Sequence, residues 1–195
     1  EALGAAFAAM PGHKGLYGPQ GTGVLLCREG VPVRPLLEGG TGSQSIRQTM
    51  PDFLPDRLEA GTLNMPGIAG LLAGVRYVRR GGLDKILAHE KHLTQMAVQG
   101  LESMPGLRLF AAPGLQGQTG VLSLTAEDLD VEAIGSALAE RGFAVRTGIH
   151  CAPCAHRTAG TLNTGTVRVS FSDFNTPEEV VRLIRAFHGI LGRAF

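Results

Sequence analysis

The sequence predicts an α/β chain in two parts, a glycine-rich segment up to about residue 82 and a compact α+β unit from Leu83 to the end. Three observations carry this. The stretch "MPGHKGLYGPQGTG" over Met10–Gly23 holds glycines at 12, 15, 18, 21 and 23 and runs straight into the apolar "TGVLLC". Two helical patterns follow one another from Asn64. Near the C-terminus a strictly alternating strand leads into a strongly capped helix.

"TGVLLC" (Thr22 to Cys27) is expected as a short buried strand, with Cys27 in the core. The proline- and glycine-rich run from Glu29 to about Pro55 has no period, and loops of that length are usually functional or lie against a partner. "NMPGIAGLLAGVRYVRR" predicts a helix with Asn64 as cap, Pro66 in its first turn and Gly81 at its end. A longer helix is predicted from Leu83 to Met104, with Ile86, Leu87, Glu90, Leu93, Ala97 and Leu101 at three-four spacing and Pro105-Gly106 as the stop. "LRLFA" and "TGVLSLT" are predicted strands. In "DVEAIGSALAERG", which starts at Asp130, Val131, Ile134 and Leu138 share a helix face and Gly142 ends it. In "TVRVSF", Val167, Val169 and Phe171 point one way and Arg168 and Ser170 the other. Thr176 and Glu179 then stand at capping-box spacing, ahead of a stripe of Val180, Leu183, Ile184 and Phe187.

Composition narrows the function classes. With 195 residues, 44% hydrophobic and 18% charged, the chain belongs among globular proteins. A net charge of +1 gives no electrostatic footprint for nucleic acid or a membrane surface. No apolar run approaches the ~18 residues of a membrane span, and Glu1 to Met10 lack the pattern of a signal peptide. Three cysteines, an odd number, argue against a disulfide framework and for a reducing, cytoplasmic setting. The chain opens on Glu1, without an initiator methionine and without strand-helix units ahead of the glycine-rich segment. The expectation is an internal start.

Three groups are candidates for chemistry. Lys14 follows His13 in a segment that fits neither the phosphate-loop nor the dinucleotide glycine spacing. A lysine amine in a crowded backbone loop is a Schiff-base candidate when desolvation and nearby cations lower its pKa; the alternative is a surface lysine in a turn. In "VRTGIHCAPCAHRTAG", Cys151 and Cys154 form C-x-x-C between His150 and His156. A thioredoxin-like pair would need a strand-to-helix setting that the sequence does not display, and four zinc ligands within this span would be too tight for one ion, so no metal is expected. A single nucleophilic thiolate at Cys151, with Arg146 nearby, is the third reading, and an ordinary loop cysteine the fourth. Arg168, mid-strand, calls for an anionic partner, either a ligand carboxylate or an internal acid.

Taken together, the motifs resemble the cysteine desulfurase / selenocysteine lyase family of class V, fold type I pyridoxal-phosphate enzymes, along the whole chain. "GHKGLYGPQGTGVL" is similar to the family's lysine segment, "EAGTLN" (Glu59 to Asn64) to a phosphate-contacting segment, "RTGIHCA" to the persulfide-cysteine loop, and "GTVRVSFSDFNTPEEV" to the substrate-arginine segment. The resemblance implies that Lys14 forms the Schiff base with pyridoxal 5'-phosphate, that His13 approaches its phosphate, and that Gly61 and Thr62 reach the phosphate of a partner subunit's cofactor. It also implies that Cys151 takes the sulfur of L-cysteine as a persulfide, releasing alanine, and that Arg168, with Arg146, holds the substrate carboxylate.

A homodimer and a sulfur-acceptor protein follow as expected partners. Residues 1–82 are then expected to be the remnant of the cofactor-binding large domain and 83–195 the C-terminal small domain, a C-terminal portion inactive by itself. Two departures stand out: Pro11 occupies the place where relatives commonly carry Ser or Thr three residues before the lysine, and Cys154 is an addition. The competing expectations are another class V reaction (selenocysteine lysis, transamination or epimerisation) and a non-catalytic dimerisation module.

Overall fold

A computed structural model describes residues 4–192, and the chain separates into two compact units, Glu1–Gly82 and Leu83–Phe195. In the first unit, β1 (Phe7–Pro11) and β2 (Gly23–Cys27) form an antiparallel ribbon with Phe7 opposite Cys27 and Pro11 opposite Gly23. β1 has no counterpart in the sequence expectation, because its alanines and terminal proline carry little strand propensity. Proline fits there because the ribbon ends at that residue, so the missing N–H interrupts little of the ladder.

β2 lies where the sequence predicts it, but the expected burial does not occur. Leu25 and Leu26 are 49% and 56% exposed, and Cys27 is only half-buried rather than a core residue. The reason is that a ribbon of two strands has no complete second layer to cover it. A groove of about 710 Å³ runs along it, overhung by Leu54, Pro55 and Leu58. The stretch 28–64 forms only a single 3-10 turn, Asp56–Leu58, and leaves Leu36 and Ile46 almost wholly exposed.

α1 (Met65–Gly81) starts as predicted: Gly67 N–H donates to Asn64 Oδ1 at 3.0 Å and Pro66 sits in the first turn. Its cap is Gly82, at φ 85°, one residue beyond the predicted stop. Three of the four glycines in this helix, each costing about 1 kcal/mol against alanine in a helix interior, have a packing reason. The loop between β1 and β2 lies directly on them. A β-carbon at Gly67 would meet Thr22 Cγ2 at 2.9 Å, one at Gly70 would meet Pro19 Cδ at 3.0 Å, and one at Gly74 would meet the Tyr17 carbonyl carbon at 2.8 Å. The Tyr17 ring then stands edge-on to Tyr77 of α1, centroids 5.6 Å apart.

The second unit holds α2 (Leu83–Leu101), β3 (Leu107–Phe110), β4 (Val121–Ala126), α3 (Val131–Ala139), β5 (Arg146–Gly148), α4 (Pro153–Ala159), β6 (Thr166–Ser170) and α5 (Pro177–Leu191). The strands form one antiparallel sheet in the order β3-β4-β6-β5. Alternation buries Leu122, Leu124, Val167 and Val169 against Leu93, Ala97, Leu101, Ile134, Leu138, Val180, Leu183 and Phe187 of the helices. α2 ends at Leu101, before the predicted Met104. Met104 is nevertheless buried, because the turn after the helix folds it back into the core, so the apolar spacing outlasts the helix. Leu87, on the predicted stripe, is 39% exposed.

The capping box of α5 forms as read: Glu179 N–H donates to Thr176 Oγ1 at 3.4 Å, and Thr176 N–H to Glu179 Oε2 at 3.0 Å. No described helix is long and apolar enough to cross a membrane.

The glycine face of α1 yields a prediction. Gly74→Ala overpacks the contact with Leu16 and Tyr17 and should cost about 1–3 kcal/mol. It should appear as a lower midpoint in thermal unfolding and as faster amide exchange at Tyr17 and Gly18. Unchanged exchange would show that the loop does not rest on the helix.

Candidate functional site

In the first unit the structure holds the backbone around Lys14 tightly and leaves its side chain exposed. Gly12 N–H donates to the Thr22 carbonyl at 2.8 Å, Gly18 N–H to the Gly12 carbonyl at 2.8 Å, and Tyr17 N–H to the Lys14 carbonyl at 2.9 Å. Tyr17 is thereby kept at φ 54°, a left-handed conformation that costs a non-glycine residue about 1–3 kcal/mol and persists only where surroundings over-determine it. His13 and Lys14 are both exposed. The crowding expected around Lys14 therefore falls on the backbone and not on the amine. Gly61, at φ 88°, gives its N–H to the Gly40 carbonyl at 2.9 Å and presents Thr62 to solvent.

In the second unit the sheet face opposite the core gathers the charged groups. Strand register sets Phe110, Ser123, Arg168 and Arg146 in one row across all four strands. Two arginines directly opposite each other repel, an arrangement that is destabilising without an anion to share. Among the described residues no carboxylate lies within ion-pair distance of either arginine; the ion pair found is Arg47–Asp52. The Arg168 Nε is buried without a hydrogen-bond partner. An internal acid, one of the two sequence readings for Arg168, is thus not what it meets. Ser123, which the sequence reading passed over, faces this arginine. Its place out of phase with Leu122 and Leu124 in "VLSLT" is the signal that could have found it.

The C-x-x-C runs from the loop after β5 into the first turn of α4, two elements too short for sequence periodicity to reveal. The pair therefore does occupy a strand-to-helix connection. His150 and Cys151 are consecutive residues at φ 55° and 58°, so the loop reverses sharply and leaves the Cys151 thiol exposed. Cys154, also exposed, is in the first turn of α4. His156 is buried, its ring 2.8 Å from Thr161 Oγ1. Among the described residues no three His, Cys, Asp or Glu side chains gather to hold a metal ion.

His150 Nε2 lies 3.1 Å from the Arg146 carbonyl, which can only accept, so Nε2 carries the proton and Nδ1 is left as a base. Burial pushes the His150 pKa below 6.5; the carbonyl bond works the other way, and the charges of Arg168, His156 and Arg146 lower it further. His150 is therefore neutral at pH 7. The sign for stability follows: this loop's contribution is present above pH 6.5 and is lost as pH falls through the folded-state value.

The donor groups fit, in kind, an aldehyde-bearing phosphate cofactor and an amino-acid substrate. These are the exposed Lys14 amine on a hydrogen-bonded loop, the exposed Thr62 hydroxyl, and the unpaired buried Arg168 Nε–H, which suits a carboxylate.

Known proteins resemble this chain along nearly its whole length. The family model described as aminotransferase class-V matches residues 1–183. The "probable cysteine desulfurase" of Methanothermobacter thermautotrophicus is 37% identical over 98% of this chain and 49% of its own length. That of Streptomyces coelicolor is 36% identical over 94% of this chain and 44% of its own. Among solved structures, the Escherichia coli cysteine desulfurase CsdA matches with a TM-score of 0.86 at 30% identity, over 99% of this chain and 47% of that one. The apo cysteine desulfurase of Thermococcus onnurineus gives 0.81 at 32%, over 96% and 47%. The chain thus spans about half the length of the relatives it matches.

The arginine row makes a testable statement about His150. Its ring proton resonance should titrate with a midpoint below 6.5, and Arg168→Ala should move that midpoint upward by removing a neighbouring positive charge. A midpoint unmoved by the substitution would place the guanidinium away from the Cys151 loop.

Proposed function

Because the chain belongs to the aminotransferase class-V family, we propose that it carries the amine, thiol and guanidinium groups of a pyridoxal-phosphate-dependent cysteine desulfurase. The relatives that it matches along nearly its whole length are named as such. Residues 1–82 would be the cofactor-binding portion and 83–195 the small domain. The observation that carries the reading is the unpaired Arg168 Nε, in register with Arg146 and acting electrostatically on His150, the neighbour of the exposed Cys151. Together these make a carboxylate site beside a thiol.

Lys14 would hold the cofactor's aldehyde carbon, with His13 on its phosphate side and the Gly61–Thr62 pair, through the exposed Thr62 hydroxyl, reaching the phosphate of a partner subunit's cofactor in a homodimer. Pyridoxal phosphate, when bound, supplies an electron sink for negative charge at the substrate α-carbon. Pro11 can supply neither hydroxyl nor N–H in that place. The phosphate therefore rests on the other groups.

Arg168, with Arg146, clamps the L-cysteine carboxylate, which orients its sulfur toward Cys151 and provides proximity. The Lys14 amine would accept and return the substrate α-proton. Cys151, as thiolate, forms a bond to the substrate sulfur. The carbon–sulfur bond breaks with its electron pair on carbon, that carbon takes a proton, and L-alanine leaves while Cys151 holds a persulfide. Neutral His150, with Nδ1 unprotonated, can accept the thiol proton. A sulfur-acceptor protein or small thiol then takes the persulfide sulfur.

Two measurements test this. Adding pyridoxal phosphate to the purified chain should produce a visible absorbance band that Lys14→Ala abolishes. A band that survives the substitution would mean that another amine holds the cofactor, and no band at all would mean that this chain does not hold it. In the cofactor-loaded protein that turns over L-cysteine, Cys151→Ser should abolish sulfide release while leaving the band in place. Turnover without Cys151 would favour a different class V reaction.

A further inference from the structure

The proposed reaction uses one thiol, and the loop that bears it presents two. We infer that Cys154 is a second sulfur carrier, which takes the sulfane sulfur from Cys151 and presents it on α4. This rests on the reading of Cys151 as the persulfide-forming residue.

The geometry favours transfer within the loop. Only Ala152 and Pro153 separate the two cysteines, and three residues span at most about 10–11 Å when fully extended. This segment is not extended: Ala152 N–H donates to the Ile149 carbonyl at 3.0 Å, Ala152 sits at φ −128°, ψ 55°, and Pro153 already belongs to the helix. A persulfide lengthens the reach of Cys151 by a further ~2 Å, the length of one S–S bond. Both thiols are exposed, so neither must leave a core to meet the other.

The two ends differ in setting. Cys151 stands on a loop of consecutive left-handed residues. Cys154 is anchored through α4, where the buried His156 ring meets Thr161 Oγ1 at 2.8 Å and Thr161 N–H donates back to the His156 carbonyl at 2.8 Å. Metal binding does not account for the pair, since no third ligand joins it among the described residues.

The step balances without an added oxidant or reductant. Cys154, as thiolate, attacks the outer sulfur of the Cys151 persulfide. The new bond joins Cys154 Sγ to that sulfur, the bond from Cys151 Sγ to it breaks, and the electron pair leaves with Cys151 as thiolate. The proton lost by Cys154 passes to solvent, and Cys151 can regain one from solvent. The sulfane sulfur keeps its oxidation level. Cys151 is then free for another substrate while the sulfur waits on an exposed helical turn for an external thiol.

The test loads sulfur without relying on turnover. The reduced chain is treated with limiting inorganic polysulfide at about 10 μM, well below the ~mM effective concentration of a group held a few residues away. It is then alkylated, digested and sequenced by mass spectrometry. The expected result is persulfide on Cys154 in the unaltered chain, persulfide retained on Cys151 in Cys154→Ser, and Cys154 labelling reduced about tenfold or more in Cys151→Ser. Equal labelling of Cys154 with and without Cys151 would overturn the relay, as would sulfur that remains on Cys151 in the unaltered chain. Absence of sulfur on Cys151 in Cys154→Ser would sink the persulfide reading itself, and the relay with it.

Discussion

A strand has two faces, and in β6 they are committed to opposite environments. Val167 and Val169 are buried under the helices, and the period of two leaves Arg168 no choice but the other side of the sheet. The antiparallel register with β5 and β4 then sets Arg146 on one side of it and Ser123 on the other. The core therefore dictates where the guanidinium groups stand. Slipping β6 by one residue would bury Arg168 and expose both valines, so the packing free energy of the small unit also enforces the register of its arginine row.

That row is electrostatically incomplete on its own. Two like charges in direct register and a buried Nε–H without an acceptor are costs that a folded domain usually removes. Retaining them makes sense where an anion occupies the face for part of the protein's working cycle. The same charges, after burial, keep His150 neutral, which leaves an imidazole able to accept a proton next to an exposed thiol. In the proposed reaction, carboxylate binding and thiol chemistry would share one field.

The lysine loop is built on a different principle. Its backbone is held by hydrogen bonds across Gly12, Thr22, Lys14 and Gly18 and by direct approach to the glycines of α1. Rigidity comes from missing side chains, which let main chain touch helix. The lysine amine itself extends from that platform into solvent. The ribbon beneath it shows Leu25 and Leu26 to solvent as well, so this unit gives less burial to its apolar residues than the second unit gives to its own.

Much of this was legible in the residues alone. The capping box at Thr176, the stripe along α5, the cap at Asn64 and the alternation of β6 are local patterns whose partners lie within a few positions, and each is found as read. The motifs around Lys14, Cys151 and Arg168 likewise sufficed to recognise the family that the comparisons support. Other features depend on residues distant in sequence. β1, β5 and α4 are too short for periodicity and exist because a partner strand or a buried histidine holds them. The exposure of Leu25, Leu26 and Lys14, the pairing of Arg146 with Arg168 and the neutrality of His150 were decided only by tertiary structure. Burial, register and electrostatic field are properties of neighbours in space, which a linear order of residues does not specify.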